Sequence, residues 1–421
     1  MQSDETTKNQ FKQPEILAYL EEKRRKGKNR FPDFLPELKE DLKKQVEGIL
    51  LDKEEIGRLS KRLDALIAKN MFLHMTIGGD FPGRYLAEYL EEIIGEKGID
   101  LLFETPNPLG FSVHLDREEE VLKKGPGLQE KKPFTLSILG LGDVGGTLLI
   151  GLRLLGKDIL REIRIFDLNL SKRRRYYLEC NEISDGTDLP EVTEADLSNV
   201  FDTDCLVFTI SIFVPPVGTA IEDVRMVQFE KNRKVLLDYA RMAEEAGFKG
   251  YYFIVSDPVD LLCMSLMEEG NIASHRIRGF GLGVMEARAR FIARENKVYA
   301  EDLRAFGPHG KGLVVINSLK GYDAALSKEL TSLAEKENFR VRETGYKPYI
   351  APALSSGSIS ILKALDGKEH LSTWFNGNVF MGSRNTLKDG YTKPSKVSLL
   401  EIKPLLVDTE RLLVSLYTKG N

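Results

Sequence analysis

The stretch "FTLSILGLGDVGGTLLIGLRLLG", residues 134–156, decides the fold of most of this chain. It opens with a buried-strand pattern, passes through a glycine-rich turn and continues as a helical pattern. A second strand pattern, "IRIFDL", follows at once, and "DCLVFTI" and "GYYFIVS" come further along with helical stretches between them. Strands that alternate with helices in this way predict a parallel sheet covered by helices on both faces.

The glycine-rich turn has the spacing of a dinucleotide-binding fingerprint, GxGxxG, between a strand and a helix. Gly140 allows a tight turn, Gly142 lets the backbone approach a pyrophosphate, and Gly145 lets the helix pack close to the sheet. The helix that begins here offers amide hydrogens and a partial positive charge to phosphates. The predicted cofactor-binding residues of the turn are Gly140, Gly142, Asp143, Val144 and Gly145.

Asp167 stands at the end of the second strand pattern, about twenty residues after the turn. Its carboxylate can accept hydrogen bonds from both ribose hydroxyls of an adenosine, and it would repel a 2′-phosphate. The sequence therefore favours NAD over NADP. The basic stretch 171–175, "SKRRR", could hold a 2′-phosphate, although a solvated helix face is the simpler interpretation.

Composition narrows the class of protein. The chain has 421 residues, of which 42% are hydrophobic and 29% charged, as in globular proteins of two or three domains. Its formal net charge of −4 gives no electrostatic case for nucleic acid or an anionic membrane as a partner. No apolar run reaches the ~20 residues that would span a bilayer, and the N-terminus lacks the apolar core of a secretory signal. Three widely spaced cysteines predict no disulfide framework, so we expect a cytoplasmic protein.

One of the five histidines lies in "AFGPHGKG", residues 305–312, with glycines close on both sides. Such a loop lets a small molecule approach the imidazole, and imidazole side chains in general suit acid–base chemistry near neutral pH. A zinc site is disfavoured because His309 has no cysteine or histidine partners at useful spacing. An ordinary loop histidine remains the alternative.

Four motifs follow the fingerprint in order: "PPVGTAIEDVRMVQFEKN" (215–232), "VSDPVDLL" (255–262), "GLGVMEARARF" (281–291) and "GPHG" (307–310). With the fingerprint, they resemble the L-lactate and malate dehydrogenase family over residues of about 134–421. The resemblance implies a Rossmann-type dinucleotide-binding domain at 131–275 and an α+β catalytic domain at 276–421. Residues 1–130 match nothing in that family and read as a mainly helical N-terminal extension, because apolar residues recur at three- and four-residue intervals.

The resemblance also implies roles for individual residues. His309 matches the histidine that exchanges a proton with the substrate oxygen, and Arg290 matches the arginine that binds the substrate carboxylate. Arg225 matches the loop arginine that closes over the substrate and polarises its carbonyl. Thr209 and Ser211 stand where the family's chain lies against the cofactor. The implied cofactor is NAD, the implied partner is a small-molecule carboxylate, and a homo-oligomer is expected by analogy.

Two departures from the family pattern concern the catalytic histidine and the substrate oxygen. Family members have an aspartate three residues before the carboxylate-binding arginine, where this chain has Ala287. Glu286 lies four residues before Arg290 on the same helix face, so it could replace that aspartate beside His309 or form only a helix ion pair with Arg290. Asp257 is a predicted substrate-binding and cofactor-binding residue by the same resemblance. It replaces a family asparagine that donates a hydrogen bond to the substrate oxygen or the carboxamide region of the cofactor, which an ionised carboxylate cannot do. Either Asp257 is protonated, or the substrate carries a donor there, or Asp257 is a solvent-facing structural residue.

The leading hypothesis is an NAD-dependent dehydrogenase of a 2-hydroxy or 2-amino carboxylic acid. An NAD-binding regulator or scaffold without catalysis is the alternative from another class. A glycosidase that uses NAD and a metal on the same fold is less favoured, because no cysteine and histidine fit its metal site.

Overall fold

The computed structural model describes residues 71–73, 112–114, 132–212, 224–298, 300, 302–376, 379–388, 391–395 and 402–419. The chain divides into two compact units. The first comprises Met1–Val121, Asn376–Asn378 and Lys396–Lys403. The second comprises Leu122–Phe375, Val379–Ser395 and Pro404–Asn421, and it contains the glycine-rich turn, Asp167, Asp257 and His309.

Two short strands are described in the first unit. β1 (Met71–Leu73) and β2 (Ser112–His114) pair antiparallel, with Met71 opposite His114. The remainder of the predicted helical extension at residues 1–130 lies outside the described residues, so its helices stay a prediction.

The second unit is built on a nine-stranded sheet, six of whose strands are parallel. Five connecting helices follow these strands along the chain. The parallel strands are β3 (Phe134–Leu139), β4 (Leu160–Phe166), β5 (Glu191–Glu194), β6 (Cys205–Phe208), β7 (Tyr251–Ile254) and β8 (Ile277–Gly279). The helices are α1 (Asp143–Leu155), α2 (Leu170–Asn181), α3 (Val224–Glu245), α4 (Val259–Glu268) and α5 (Leu282–Glu295), with a 3₁₀ turn at Ser274–Arg276.

The spatial order of the parallel strands is β5-β4-β3-β6-β7-β8. The chain starts in the middle of the sheet, winds to one edge and returns to build the other half, which is the doubly wound Rossmann order. The predicted parallel sheet is therefore confirmed. The predicted boundary at residue 275 falls just before β8, so strand order assigns that last parallel strand to the dinucleotide-binding half.

The sheet continues antiparallel beyond β8. β11 (His370–Phe375) pairs with β8 and with β12 (Phe380–Lys388), and β12 pairs with β13 (Tyr391–Pro394). A separate two-stranded sheet joins β9 (Arg304–Phe306) to β10 (Val314–Ile316). The remaining helices are α6 (Ala324–Glu343), a π-helical segment at Pro352–Ser358, α7 (Ile359–Leu365) and α8 (Lys403–Lys419).

Buried apolar side chains explain why these segments fold as they do. All six residues of β3 are buried, and their neighbours in β6 and β7 are buried along their whole length. A strand covered on both faces needs such continuous apolar sequence. A second apolar cluster, which includes Met285, Ala289 and Leu330, holds α5 and α6 against the small sheet. None of the described helices is long and apolar enough to cross a membrane.

Candidate active site

A cleft of about 1220 Å³ opens at the carboxyl ends of the parallel strands. Residues that directly follow strands line it, among them Gly140 after β3, Asp167 after β4 and Thr209 after β6. Because β3 has β4 on one side and β6 on the other, the chain leaves the sheet in opposite directions at this point. Ligands of open α/β sheets bind in the crevice that forms there.

The glycine-rich turn forms one wall of the cleft. Gly140 has φ +97°, a left-handed conformation that favours glycine, and its N–H donates to Phe166 O at 2.8 Å. A Cβ added at Gly145 would lie 2.1 Å from Gly140 O, so only glycine lets α1 sit this close to the turn. A Cβ added at Gly142 would meet nothing within 4 Å. The turn thus combines tight packing at one glycine with an open approach at another.

The N-terminus of α1 has no side-chain cap. Gly142 is the N-cap residue and makes no side-chain hydrogen bond, while Asp143 and Val144 line the cleft. The amide groups of the first helical turn have no intrahelical acceptors, and they carry the positive end of the helix dipole. Five predicted residues of the turn thus lie at the site, four lining the cleft and Gly145 supporting it.

Asp167 follows β4 and contacts the glycine-rich turn through its carboxylate. Its Oδ2 accepts a hydrogen bond from Leu141 N at 2.8 Å, and its Oδ1 accepts one from Asn169 N at 2.8 Å. Lys172 Nζ lies 3.3 Å from Asp167 Oδ2. The carboxylate is therefore fixed beside the glycine turn, in the cleft, as the spacing predicted.

The arginines of the basic stretch 171–175 contact protein carboxylates. Arg173 and Arg174 pair with Glu194, and Arg175 pairs with Glu179 on its own helix. Lys172 is the member of the stretch that lines the cleft, where it pairs with Asp167. The three arginines thus form ion pairs at the protein surface rather than cleft contacts.

Two predicted cofactor contacts follow β6. Thr209 is buried, and its hydroxyl donates to Leu139 O at 2.9 Å and to Gly140 O at 2.7 Å. Ser211 lines the cleft next to Ile210, which packs against Gly140. Thr209 consequently tethers β6 to the glycine turn and fixes the shape of that wall.

His309 faces the same cleft from the loop between β9 and β10. Its side chain is 16% exposed, and its Nδ1 lies 2.9 Å from Asp257 Oδ1. Asp257 follows β7, and its side chain is 47% exposed. The structure thus brings together two predicted residues that are 52 positions apart in the sequence.

The turn that carries Asp257 is held by two buried polar residues. Asn232 of α3 is fully buried, and its Nδ2 donates to Asp257 O at 2.8 Å while its Oδ1 accepts from Ile212 N at 2.9 Å. Asp260 accepts from Thr373 Oγ1 at 2.9 Å and from the backbone N–H of His309. Burial raises the pKa of Asp260 to about 7, although both hydrogen bonds favour the ionised form.

The hypothesis that Glu286 replaces the family aspartate beside His309 is wrong for this structure. Glu286 is buried, and its Oε1 accepts from Arg290 Nη2 at 3.1 Å and Arg290 Nε at 3.2 Å. Arg384 Nη2 donates to the same oxygen, and Ala305 N donates to Glu286 Oε2 at 3.2 Å. Both carboxylate oxygens are thus engaged away from His309, whose ring nitrogen pairs with Asp257. The helix ion pair with Arg290 is the alternative that the structure confirms.

The arginine of α5 that lines the cleft is Arg288 rather than the predicted Arg290. Arg290 donates to Leu303 O at 2.6 Å as well as to Glu286. A helix turns by 100° per residue, so two arginines two positions apart point in very different directions. Counted from Arg288, the position three residues earlier is Met285, which also lines the cleft and carries no charge. The side of α5 that faces the cleft therefore supplies a cation and a thioether but no carboxylate at that position.

Arg225 stands in the first turn of α3, and its side chain lies outside the described residues. Phe213 and the loop up to residue 223 also lie outside them. The proposed closing role of Arg225 therefore stays a prediction. Within the described part of the chain, no group of three or more His, Cys, Asp and Glu residues is arranged to hold a metal ion.

Sequence reasoning missed three residues of this site: Arg288, Asp260 and Asn232. Arg288 was available in the motif "ARAR", but spacing alone could not say which arginine faces the cleft. Asp260 follows Asp257 by three residues, and its contact with the loop of His309 exists only after folding. Asn232 occurs in a charged helix, where nothing in the sequence marks it as buried.

Comparison with known proteins gives both sequence relatives and structural neighbours. No protein-family model matches the chain. The L-lactate dehydrogenase of Mycoplasma mobile is 25% identical over 225 residues, which are 52% of this chain and 69% of that protein. The L-lactate dehydrogenase of Mesomycoplasma hyopneumoniae is 25% identical over 191 residues, 44% of this chain and 58% of that protein. The second alignment therefore spans little more than half of the relative.

Two solved structures share the fold. The minor L-lactate dehydrogenase of Enterococcus mundtii superposes with a TM-score of 0.59 at 16% identity, over 69% of this chain and 99% of that one. The malate dehydrogenase of Plasmodium falciparum superposes with a TM-score of 0.57 at 17% identity, over 68% and 98%. The second unit thus has the fold of lactate and malate dehydrogenases. In sequence the chain is similar to L-lactate dehydrogenases at 25% identity, and its second unit shares the fold of lactate and malate dehydrogenases.

Proposed function

We propose that this protein is an NAD-dependent oxidoreductase that transfers a hydride between nicotinamide and a 2-hydroxy or 2-amino carboxylic acid. One observation carries the proposal: His309, with a carboxylate on its Nδ1, faces the same cleft as the glycine-rich turn at the start of α1. An imidazole with a fixed partner beside a dinucleotide-type turn is the arrangement that proton-coupled hydride transfer needs.

The residues of the turn fit NAD. The uncapped N-terminus of α1 suits a pyrophosphate, and the open space at Gly142 allows its close approach. Asp167 suits the adenosine ribose, and Arg173, Arg174 and Arg175 are paired with glutamates away from it, which supports NAD over NADP. When bound, NAD supplies the hydride acceptor or donor.

In this proposal His309 handles the proton and Arg288 holds the carboxylate. The Nε2 atom of His309 takes the proton from the substrate hydroxyl or amine on oxidation and returns it on reduction. The guanidinium of Arg288 binds the carboxylate, since Arg288 is the arginine of α5 that lines the cleft. Arg225 stands at the start of α3 and is proposed to close over the substrate carbonyl.

Asp257 narrows the choice of substrate. In the family pattern an asparagine at this position donates to the substrate oxygen, whereas an ionised Asp257, paired with His309 Nδ1, cannot donate a hydrogen bond there. A substrate that carries a hydrogen-bond donor near Asp257, such as an amine, an imine or an extra hydroxyl, avoids that conflict. We therefore expect plain lactate or pyruvate to be a poor substrate.

The test is reduction of NAD by the purified full chain against a panel of 2-hydroxy and 2-amino acids, with NADP in parallel. We expect His309→Asn to reduce kcat by at least about 100-fold, the lower range for a general acid–base. Arg288→Ala should raise KM by about tenfold or more, whereas Arg290→Ala should leave KM within about threefold. The last variant is the matched control, because it removes the other arginine of the same helix.

Three outcomes would contradict the proposal. Tight NAD binding without turnover on any acid would favour a regulator or scaffold. An equal increase in KM in Arg288→Ala and Arg290→Ala would refute the assignment of Arg288 as the carboxylate-binding arginine. Full activity of His309→Asn would remove the histidine from the chemistry.

A further inference from the structure

Two carboxylates of one short turn hold His309 at two different points. Asp257 Oδ1 lies 2.9 Å from the ring atom Nδ1, and Asp260 accepts the backbone N–H of the same histidine. Both aspartates belong to the segment "DPVD", residues 257–260, which leads from β7 into the first turn of α4, while His309 belongs to the loop between β9 and β10. The contact therefore fixes a loop of the catalytic region to the end of the parallel sheet.

We propose that Asp257 is the positioning residue that keeps the proton of neutral His309 on Nδ1, and that Asp260 anchors the backbone of the same residue. The proposal rests on the proposed function for its catalytic meaning, but the arrangement of the proton on the ring can be measured without substrate.

The position of the carboxylate differs from the pattern of the lactate/malate dehydrogenase family. There, the partner of the histidine comes from the helix of the carboxylate-binding arginine, three residues before it. In this chain that position, counted from Arg288, is Met285, and the neighbouring Glu286 is bonded to Arg290, Arg384 and Ala305. The turn after β7 supplies the carboxylate instead. Compared with the family pattern, α5 lacks the carboxylate beside the histidine and the turn after β7 carries one, so His309 still has a carboxylate partner.

The chemical consequence follows from the two nitrogens of the ring. If Nδ1–H donates to Asp257, Nε2 of the neutral ring has a lone pair and can accept a proton from the substrate. The proton then moves between the substrate and Nε2, while Nδ1–H stays on the ring and Asp257 stays ionised. Asp257 stabilises the imidazolium that forms, by charge as well as by the hydrogen bond.

Support for Asp257 comes from the elements around it. Asn232 of α3 fixes its backbone carbonyl, with Nδ2 at 2.8 Å, and Asn232 is itself fully buried. Asp260 is buried and is also held by Thr373 of β11 at 2.9 Å. Two elements of the fold, α3 and β11, thus restrain the "DPVD" turn, which limits the freedom of the carboxylate to leave the ring.

Two other ionisable groups of this region belong to the described helices α4 and α5. Arg288 of α5 lines the cleft with His309, and the thiol of Cys263 on α4 lies near Asp260, where burial raises its pKa. Neither of these groups can accept a hydrogen bond from Nδ1–H as a carboxylate does. Removal of the Asp257 charge should therefore change the state of the ring directly.

The experiment is ¹⁵N NMR of the imidazole nitrogens in the ligand-free full chain at a pH where the ring is neutral. The His309 signals are assigned from their absence in His309→Asn. We expect wild-type His309 to carry its proton on Nδ1. We expect Asp257→Asn to move the proton largely to Nε2, because an amide can donate to Nδ1 and water favours that tautomer. Asp257→Ser should give the same shift if the first variant does not fold.

Asp260→Asn is the matched control for the tautomer measurement. It makes the same change from aspartate to asparagine three residues away, in a side chain that contacts the backbone of His309 and not its ring. It should leave the proton on Nδ1. In turnover, Asp257→Asn should reduce kcat by about 100-fold or more, while Asp202→Asn, at an 87% exposed side chain on the surface, should not.

A wild-type proton on Nε2, or an unchanged tautomer in Asp257→Asn, would overturn the proposal whatever the activity. A shifted tautomer in a protein that oxidises no acid would leave the positioning role intact and refute the proposed function alone.

Discussion

The substitution Glu286→Gln separates a structural carboxylate from a catalytic one. Glu286 is 3% exposed, and Arg290, Arg384 and Ala305 N all donate to it. Glutamine keeps the shape and one acceptor oxygen, but it loses the charge and one acceptor position. Two arginines then remain beside a neutral amide.

The magnitude follows from burial. Removing one partner of a fully buried ion pair costs about 3–5 kcal/mol. The arginine side chains are 32% and 19% exposed, so solvent screens part of that loss. We expect the free energy of unfolding to fall by about 2–3 kcal/mol. At about 2 °C per kcal/mol for a unit of this size, Tm should fall by about 5 °C.

The assay is urea denaturation followed by circular dichroism, with turnover measured on the same preparations. Glu369→Gln is the matched control, because Glu369 pairs with the same Arg384 at 3.1 Å but its side chain is 45% exposed. It should cost less than about 1 kcal/mol. Since the described hydrogen bonds of Glu286 go to Arg290, Arg384 and Ala305 N and none goes to His309, kcat of Glu286→Gln should stay within about threefold of wild type.

The opposite pattern would refute this reasoning. If Glu286→Gln were as stable as wild type while kcat fell by orders of magnitude, the carboxylate would act on the chemistry. The ion pairs with Arg290 and Arg384 would then be secondary.

Two further predictions concern the glycine turn and Asp260. Gly142→Ala should keep the stability of the protein but weaken NAD binding by about tenfold or more. Gly145→Ala should weaken NAD binding and also lower the free energy of unfolding by about 1–3 kcal/mol, since its Cβ would lie 2.1 Å from Gly140 O. Calorimetry of NAD binding and thermal unfolding measure both effects, and equal stability of the two variants would contradict the packing argument. The pKa of Asp260 is raised from 3.8 to about 7 in the folded protein, so between those pH values the folded state binds one proton that the unfolded state has lost. The free energy of unfolding should therefore fall as the pH rises through this window, by at most about 1.4 kcal/mol per pH unit and about 4 kcal/mol in all. Asp260→Asn should remove this slope in urea denaturation between pH 4 and 8, and parallel curves for the two proteins would count against the buried carboxylate as its source.

The local pattern of the sequence was sufficient to predict the parallel sheet. Residues 134–139 are buried without exception, and Gly140 after them takes the left-handed conformation of a tight turn. Strand and helix periodicity, a left-handed turn and a carboxylate at the end of the next strand are properties of neighbouring residues. They can therefore be recognised before the chain is folded.

The pairing of side chains in the cleft could not be predicted in the same way. Glu286 and Arg288 differ by two positions, yet the first is turned towards Arg384 and the second lines the cleft. The rotation of α5 is set by its packing against α6 and the small sheet, through Met285, Ala289 and their apolar neighbours. Spacing within the motif gives candidates for each role and leaves the choice among them open.

The sequence by itself determined a doubly wound dinucleotide-binding sheet, a glycine turn open to a phosphate, and a histidine in an accessible loop. Only the tertiary structure decided that Asp257 is the carboxylate beside His309 and that Arg288 is the arginine of the cleft. The physical reason is that these contacts join residues up to 52 positions apart, on elements whose relative rotation depends on how their apolar faces pack. That rotation cannot be predicted from the local sequence.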